Sequence, residues 1–307
     1  MKSETDLSCG FNIGYTARMK LRFALLAPIL ILALGCDGAL AVHLPEPAKS
    51  IGPVANDRFE ARRSGTVAGT VKWVGDVPAI HAVKVYDSRP GDPVKLLGMP
   101  HPNAPRVSES GELLSAVVYL RGIDLRRSKS VEAISVSVEL ESKGLSILRD
   151  GKRFRATWAP VGSEVRLANR LDGIGGIRAR GAEFFSQMFP KRGDSAVRTM
   201  DRTGRSTFTS ASGQFWAVAD LFVSDHPYIA NVDESGKFHF DQVPDGEYEL
   251  VAWHPNWHVA GHELDPETGV VARQSYAPPV ESRTVVRVVA GATLDVKLAF
   301  VATDFKP

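Results

Sequence analysis

Three histidines stand at four-residue spacing near the C-terminal end of the chain, and the last two, His258 and His262, are followed by Glu263 and Asp265. Imidazole and carboxylate groups are common ligands of zinc. On a helix, His258 and His262 would share a face and could bind a divalent ion. Gly261 and the prolines on both sides favour a loop instead, in which the spacing fixes no geometry. A metal site of His258, His262 and Glu263 or Asp265 is one hypothesis, and a loop held by its own hydrogen bonds is the other.

Aromatic and basic side chains supply two further candidate sites. Trp253, Trp257 and Tyr276 could present flat faces to a sugar ring or a partner protein, or they could fill the core, as Trp usually does in a sandwich. Arg178 and Arg180 could bind an anion, or they could lie in a solvated loop.

Motifs for catalysis are missing from the sequence. No Gly-x-Ser-x-Gly, His-Glu-x-x-His or phosphate-cradling glycine loop occurs. His226, before Pro227 and Tyr228, is interpreted as a junction residue that packs between domains rather than as a catalytic base. The sequence therefore predicts a non-enzymatic protein and indicates no cofactor.

The N-terminus has the form of a signal peptide, which we assign to residues 1–41. Basic residues precede an apolar run over residues 23–34, and small residues end at Ala41. The run is short and interrupted by Pro28, so it does not predict a permanent membrane span. Met19 is an alternative start to Met1. Cleavage after Ala41 would free a soluble protein, whereas cleavage before Cys36 would leave a lipid anchor; either way we expect a periplasmic or extracellular location.

Cysteine usage and charge narrow the choice of partners. The only two cysteines, Cys9 and Cys36, both lie in the expected leader, so no disulfide is expected in the mature chain. Lys and Arg total 37 against 35 for Asp and Glu, which leaves no basic excess for nucleic acid. An envelope protein or a polysaccharide is the expected partner.

The mature chain has an all-β pattern. Residues 42–65 show no apolar periodicity and are interpreted as a linker. From residue 66 onward, short β-rich segments such as 67–73, 134–140 and 248–253 are separated by turn residues. The pattern allows one short helix over residues 182–188, ended by Pro190, and predicts a surface loop over residues 90–105. It leaves open which sandwich the strand over residues 67–73 joins.

The last third of the chain resembles a known domain family. Residues 231–240 and 243–250, with the turns Asp233-Glu234-Ser235-Gly236 and Pro244-Asp245-Gly246, resemble the carboxypeptidase regulatory-like domain, a transthyretin-like β-sandwich. The resemblance covers residues 225–303. It implies a non-catalytic domain of a fold group that includes carbohydrate-binding modules.

The preceding part resembles the cupredoxins. Residues 160–169 resemble the strand before the first copper ligand, and residues 209–228 are similar to the ligand loop and final strand. Together with the domain above, the chain resembles bacterial exported proteins, plastocyanin-like or methylamine-utilisation-like, that join a cupredoxin-like domain to a regulatory-like domain. The resemblance implies two β-sandwich domains, the first over residues 66–224.

The copper ligands themselves are missing. The chain has Ile174-Gly175-Gly176 where the family places its first His, Ser210 or Ser212 where it places Cys, and Gln214 where it places the second His. A serine hydroxyl does not replace the thiolate of a blue-copper centre. The resemblance therefore implies an exported binding or scaffolding protein without copper. The alternatives are a non-blue metal-binding protein that uses His258 and His262, and a carbohydrate-binding module.

Overall fold

The computed structural model describes residues 58–87, 95–264, 266–267 and 271–307. The expected leader with Met19 and Cys36, most of the linker, and Asp265 lie outside these residues. No helix long and apolar enough to span a bilayer occurs in the part of the chain that is described.

The described residues form 21 strands and two short 3₁₀ turns, at Ala61–Arg63 and Ala302–Asp304. The strands are β1 Ser64–Val74, β2 Val83–Asp87, β3 Lys95–Met99, β4 Val117–Arg121, β5 Ser135–Glu141, β6 Gly144–Arg149, β7 Lys152–Phe154, β8 Ala156–Pro160, β9 Ser163–Asn169, β10 Gly175–Gly181, β11 Phe185–Phe189, β12 Ser195–Met200, β13 Gly204–Ser210, β14 Val218–Ser224, β15 Ile229–Asn231, β16 Lys237–Pro244, β17 Gly246–His254, β18 Val259–Leu264, β19 Val271–Tyr276, β20 Val280–Val288 and β21 Thr293–Val301. The expected all-β class is confirmed.

One sandwich is built from the two ends of the described chain, and we call it the outer sandwich. Its sheets have the strand orders β16-β1-β21 and β15-β4-β17-β20. Apolar residues alternate along β1, so that Val67, Val71 and Trp73 enter a core shared with Leu250 of β17 and Phe300 of β21. The outer sandwich therefore needs strands that lie more than 200 residues apart in the sequence.

The other sandwich, which we call the inserted sandwich, is formed by β5 to β14. Its two five-stranded sheets have the orders β11-β10-β13-β14-β8 and β12-β9-β5-β6-β7. A separate core fills the space between them, with Leu167, Ile177, Phe208 and Leu221 fully buried. Two cores of this size can stabilise a chain of this length without disulfides.

The structure decides the membership of the strand over residues 67–73. β1 pairs with β16 and β21, and β4 pairs with β15 and β17, so both strands belong to the outer sandwich. This differs from the expected boundaries, which assigned residues 66–224 to one sandwich and 225–303 to the other. The reason is that strand pairing joins distant segments, which local periodicity does not report.

Two local predictions are wrong. Residues 182–188 do not form a helix: Phe185–Phe189 is strand β11, paired antiparallel with β10, and its burial alternates. Pairing along the sheet edge outweighs helix propensity in this short segment. The predicted surface loop over residues 90–105 contains β3, which forms a hairpin with β2.

The two sandwiches meet along a seam made of apolar and polar contacts. Trp253 of the outer sandwich packs edge-on against Phe222 of the inserted sandwich, with ring centroids 5.0 Å apart. Asn231 bonds across the seam twice: its Nδ2 donates to the Ala156 carbonyl at 2.7 Å, and its Oδ1 accepts from the Thr157 hydroxyl at 2.6 Å. Both sandwiches belong to the same compact unit of the chain.

Gly69→Ala tests the packing of β1. A Cβ at Gly69 would lie 2.0 Å from the Val296 carbonyl oxygen and 2.8 Å from the Phe238 ring. Because the first neighbour is backbone, we expect a loss of about 3 kcal/mol or more in the free energy of unfolding, measured in urea. Gly98→Ala is the control, since its Cβ would meet only Ala82 at 3.5 Å. Equal urea midpoints for both variants would contradict the assignment of β1.

Candidate functional site

The residues at the expected copper-ligand positions come together at one end of the inserted sandwich. Ser210 Oγ donates to Gln214 Oε1 at 2.5 Å, and Ser212 Oγ donates to the same oxygen at 2.9 Å. Ser212 Oγ also accepts from the Gly176 backbone N–H at 3.0 Å. We call Ser210, Ser212 and Gln214 the serine cluster. Both hydroxyls are therefore hydrogen-bonded within the cluster.

The donor set around the serine cluster does not fit a blue-copper centre. It offers hydroxyls, an amide and the thioether of Met188, whose Sδ would lie 2.5 Å from a Cβ placed on Gly176. The sequence has no histidine and no cysteine between residues 102 and 225. A blue-copper site needs one thiolate and two imidazoles. The inserted sandwich therefore provides no ligands of the required kind.

His262 and Glu263 lie on strand β18 rather than in the expected loop, and His258 directly precedes that strand. β18 pairs with β19, a strand that the sequence did not predict, and His262 lies opposite Gln274. Successive side chains of a strand point to opposite faces, and Glu263 forms an ion pair with Arg273 at 2.7 Å. No group of three or more His, Cys, Asp or Glu side chains suited to a metal occurs among the described residues. The metal site of His258, His262 and Glu263 stays a prediction.

His254 is a core residue. Its Nδ1–H donates to the Pro255 carbonyl at 2.8 Å, so its Nε2 accepts from the Ser115 hydroxyl at 2.9 Å. The ring is fully buried beside Phe300 and Phe305. Burial lowers the pKa of His254 to about 4. The ring is therefore held as one neutral tautomer and is not available to a metal.

The aromatic candidates divide into buried and accessible residues. Trp253 is 2% exposed and Trp257 is 7% exposed, so neither can present a face to a sugar, which corrects that expectation. Trp257 stacks on Phe305 with centroids 4.1 Å apart. Tyr276 is half-buried, and it borders a cavity between the two sandwiches.

This cavity, which we call the seam cleft, has a volume of about 370 Å³. One wall is the outward face of the inserted sandwich. Arg180 of β10 pairs with Thr207 of β13, which pairs with Asp220 of β14, so three polar side chains form a row across neighbouring strands. Arg205 and Thr209 flank Thr207 on the same face, because residues two apart in a strand point the same way.

The other wall of the seam cleft belongs to the outer sandwich. It consists of the turn after β17, strand β19 and the prolines that follow. Asn256 fixes this wall: its Nδ2 donates to the carbonyls of Pro278 at 3.1 Å and Lys306 at 2.9 Å, and its Oδ1 accepts from His258 N–H at 2.9 Å. Asn256 is buried, so these bonds are shielded from water. The wall is thus held in place without a ligand.

An ion pair with a buried carboxylate lies at the edge of the seam cleft. Asp220 is buried, and its Oδ1 accepts from the Thr207 hydroxyl at 2.6 Å and from the partly exposed Arg205 at 3.1 Å. Burial raises the pKa of Asp220, and Arg205 and Thr207 oppose that rise. The Arg205 guanidinium also lies 5.2 Å from the centroid of the Trp253 ring. Arg205 therefore joins the polar wall to the seam.

Sequence reasoning found part of this site. Arg180 was a candidate for holding an anion, and the structure places it on β10 at the seam cleft rather than in a solvated loop. Arg205, Thr207 and Asp220 were missed. Phe208 is the one large apolar residue of β13, so the sequence of this strand does not distinguish its buried face from its polar face. Arg273 of the opposite wall gave no signal, because only tertiary contacts bring β19 to β13.

Comparisons with known proteins give distant likenesses. No protein-family model matches the chain, and no curated protein matches it. A purple cupredoxin from Nitrosopumilus maritimus is similar at 17% identity, with a TM-score of 0.23, over 30% of this chain and 100% of that one. A copper-containing nitrite reductase from Thermus scotoductus SA-01 is similar at 19% identity, with a TM-score of 0.23, over 32% of this chain and 24% of that one. The cupredoxin-like assignment and the regulatory-like domain both stay predictions.

His254 makes stability depend on pH. Because its pKa is about 4 in the folded chain and 6.5 ordinarily, the unfolded chain takes up a proton first as the pH falls. The pH-dependent contribution of His254 to the free energy of unfolding is complete above pH 6.5, declines below that pH and is lost near pH 4. It amounts to about 3 kcal/mol. His254→Gln should flatten that part of the profile of unfolding free energy against pH, and exposed His262→Gln should not. An unchanged slope in His254→Gln would contradict this interpretation.

The metal hypothesis has a direct test. We expect the wild type, dialysed against Zn²⁺ and then against metal-free buffer, to retain less than about one equivalent, because Arg273 already holds the Glu263 carboxylate. The double variant His258→Ala, His262→Ala should retain the same amount by elemental analysis, as should the control His81→Ala, His239→Ala. If the wild type retained one equivalent of Zn²⁺ and only His258→Ala, His262→Ala lost it, the result would support the metal site.

Proposed function

We propose that this protein is an exported, non-enzymatic binding protein of the cell envelope, whose inserted sandwich is cupredoxin-like but holds no copper centre. One observation carries the proposal: the serine cluster fills the expected ligand positions with hydrogen bonds among Ser210, Ser212, Gln214 and Gly176. Without a thiolate there is no short copper–sulfur bond to tune a redox couple. Electron transfer through a blue-copper centre is therefore not the function that we propose.

The seam cleft is the proposed binding site. Both sandwiches contribute to it, and ligand sites often lie between two packed domains. Asp220 is the one carboxylate among its lining residues, which include neither His nor Cys. Asp220 is already bonded to Arg205 and Thr207, so it is poorly placed to act as a free base. These features favour binding over catalysis.

The leader-like N-terminus supports export, and the seam supports a fixed presentation of the cleft. Asn231, Thr157 and the Trp253 to Phe222 contact join the two sandwiches, so the cleft walls keep their spacing. A preformed site loses less conformational entropy on binding than a mobile one. We therefore expect binding without large rearrangement.

A cleft-filling variant tests this proposal. We expect some members of a panel of small polar compounds, screened with a chelator present, to raise the thermal unfolding midpoint. At a hundred times its Kd, a ligand adds about 2.7 kcal/mol to stability, or about 5 °C for a chain of this size. Thr209→Trp places a large side chain in the cleft and should abolish these shifts. Thr199→Trp, at an exposed position of β12, should keep them.

Two results would contradict the proposal. One is a panel in which no compound shifts the midpoint of the wild type. The other is a set of shifts that persists in Thr209→Trp, which would put the site elsewhere. Chemical conversion of a bound compound by the wild type, followed by chromatography, would contradict the non-enzymatic part alone.

A further inference from the structure

The seam cleft carries an excess of positive charge. Its lining residues include Arg180, Arg205 and Arg273, against the single carboxylate of Asp220. Asp220 is neutralised locally by Arg205, which donates to its Oδ1 at 3.1 Å. Arg273 bonds to Glu263, which does not line the cleft. The lining of the cleft therefore has more positively charged side chains than negatively charged ones. An anionic ligand would complement this charge.

Arg180 is the arginine with unused bonding capacity. It has no hydrogen-bond or ion-pair partner within the described ranges of the chain, whereas Arg205 and Arg273 each have one. A guanidinium presents five N–H donors in a fixed fork that suits a carboxylate or a phosphate. Its neighbour along β10, Arg178, points the same way but does not line the cleft. Arg180 is thus the residue placed to bind the charged group of a ligand.

The remaining walls suit the body of a small hydroxylated molecule. Thr207, Thr209 and Ser275 bring hydroxyls to the cleft, and Asn103 and Asn256 bring amides. Pro255, Pro278 and the half-buried Tyr276 provide flat apolar surface beside these polar groups. A volume of about 370 Å³ admits a molecule of one or two rings. A bare inorganic anion would leave the hydroxyl-bearing and apolar walls without contacts.

We propose that the seam cleft binds a small hydroxylated organic acid, with its carboxylate on Arg180 and its hydroxyl-bearing carbons between Thr209 and the proline wall. This inference rests on the proposed function, because it names the class of ligand for the same cleft. Sugar acids, in cyclic or linear form, have this chemistry. Neutral sugars lack the carboxylate, and inorganic phosphate lacks the body.

Calorimetric titration of the full exported protein tests the inference. The probes are glucuronate, its neutral counterpart glucose, the linear acid gluconate and inorganic phosphate. We expect at least one of the two acids to bind, and glucose to bind about tenfold more weakly or not at all, since the carboxylate contributes a charged hydrogen bond. Arg180→Gln should weaken the acid by about ten- to a hundredfold.

Arg178→Gln is the matched control, because it removes the same charge from the same strand outside the cleft. We expect its Kd to stay within about twofold of wild type, because Arg178 does not line the cleft and makes no direct hydrogen bond to a ligand held there. Equal losses in Arg178→Gln and Arg180→Gln would overturn the assignment of Arg180. Both variants alter exposed or half-buried side chains, so their thermal midpoints should match that of the wild type.

The outcomes separate this inference from the proposed function. Glucose binding as tightly as the acids, phosphate binding more tightly than the acids, or neither acid binding would each overturn the inference. The proposed function survives those results if other compounds still shift the unfolding midpoint in a manner that depends on Thr209. It fails when no compound of the panel shifts the midpoint, or when the shifts persist in Thr209→Trp.

Discussion

The seam between the two sandwiches is the contact on which the rest of the structure depends. One sheet of the inserted sandwich has a core on its inner face, and the outer face of β8 and β14 carries apolar residues that also have to be buried. Trp253 packs edge-on against Phe222 there, and its ring lies beside Arg205, the partner of the buried Asp220. A buried carboxylate has to be paired, and Arg205 pairs it. The polar side chains elsewhere on the same sheet face form one wall of the seam cleft.

The insertion of one sandwich into the other follows from strand pairing at a single place. β4 precedes the inserted sandwich and β15 follows it, and these two strands pair with each other, with Ile229 opposite Tyr119. The inserted segment thus leaves and returns at neighbouring points of one sheet, an arrangement that folded domains tolerate well. Asn231, on the returning strand, bonds directly to β8 of the insert. Strand β15 is thus the edge strand of a sheet in the outer sandwich and also the direct contact to the inserted sandwich.

The serine cluster and the seam cleft lie on different parts of the inserted sandwich and have opposite character. At the serine cluster, the Ser210 and Ser212 hydroxyls both donate to the Gln214 side-chain oxygen, so these hydroxyls already have partners. At the seam cleft, Arg180 has unused donors and faces open volume. The serine cluster therefore lacks the ligands of a blue-copper centre, whereas the seam cleft holds an arginine with donors free for a ligand.

The sequence by itself determined the fold class and the limits of the chemistry. Period-two alternation and turn residues indicated the all-β class, because these signals act over a few residues. The lack of cysteine and histidine between residues 102 and 225 excludes a thiolate–imidazole site in that region whatever the fold. Tertiary structure alone decided that β1 joins the outer sandwich, that Trp257 is buried and that Arg273 faces β13. These depend on pairing and packing between distant segments, and a local pattern specifies which face of a strand is apolar without specifying what covers it.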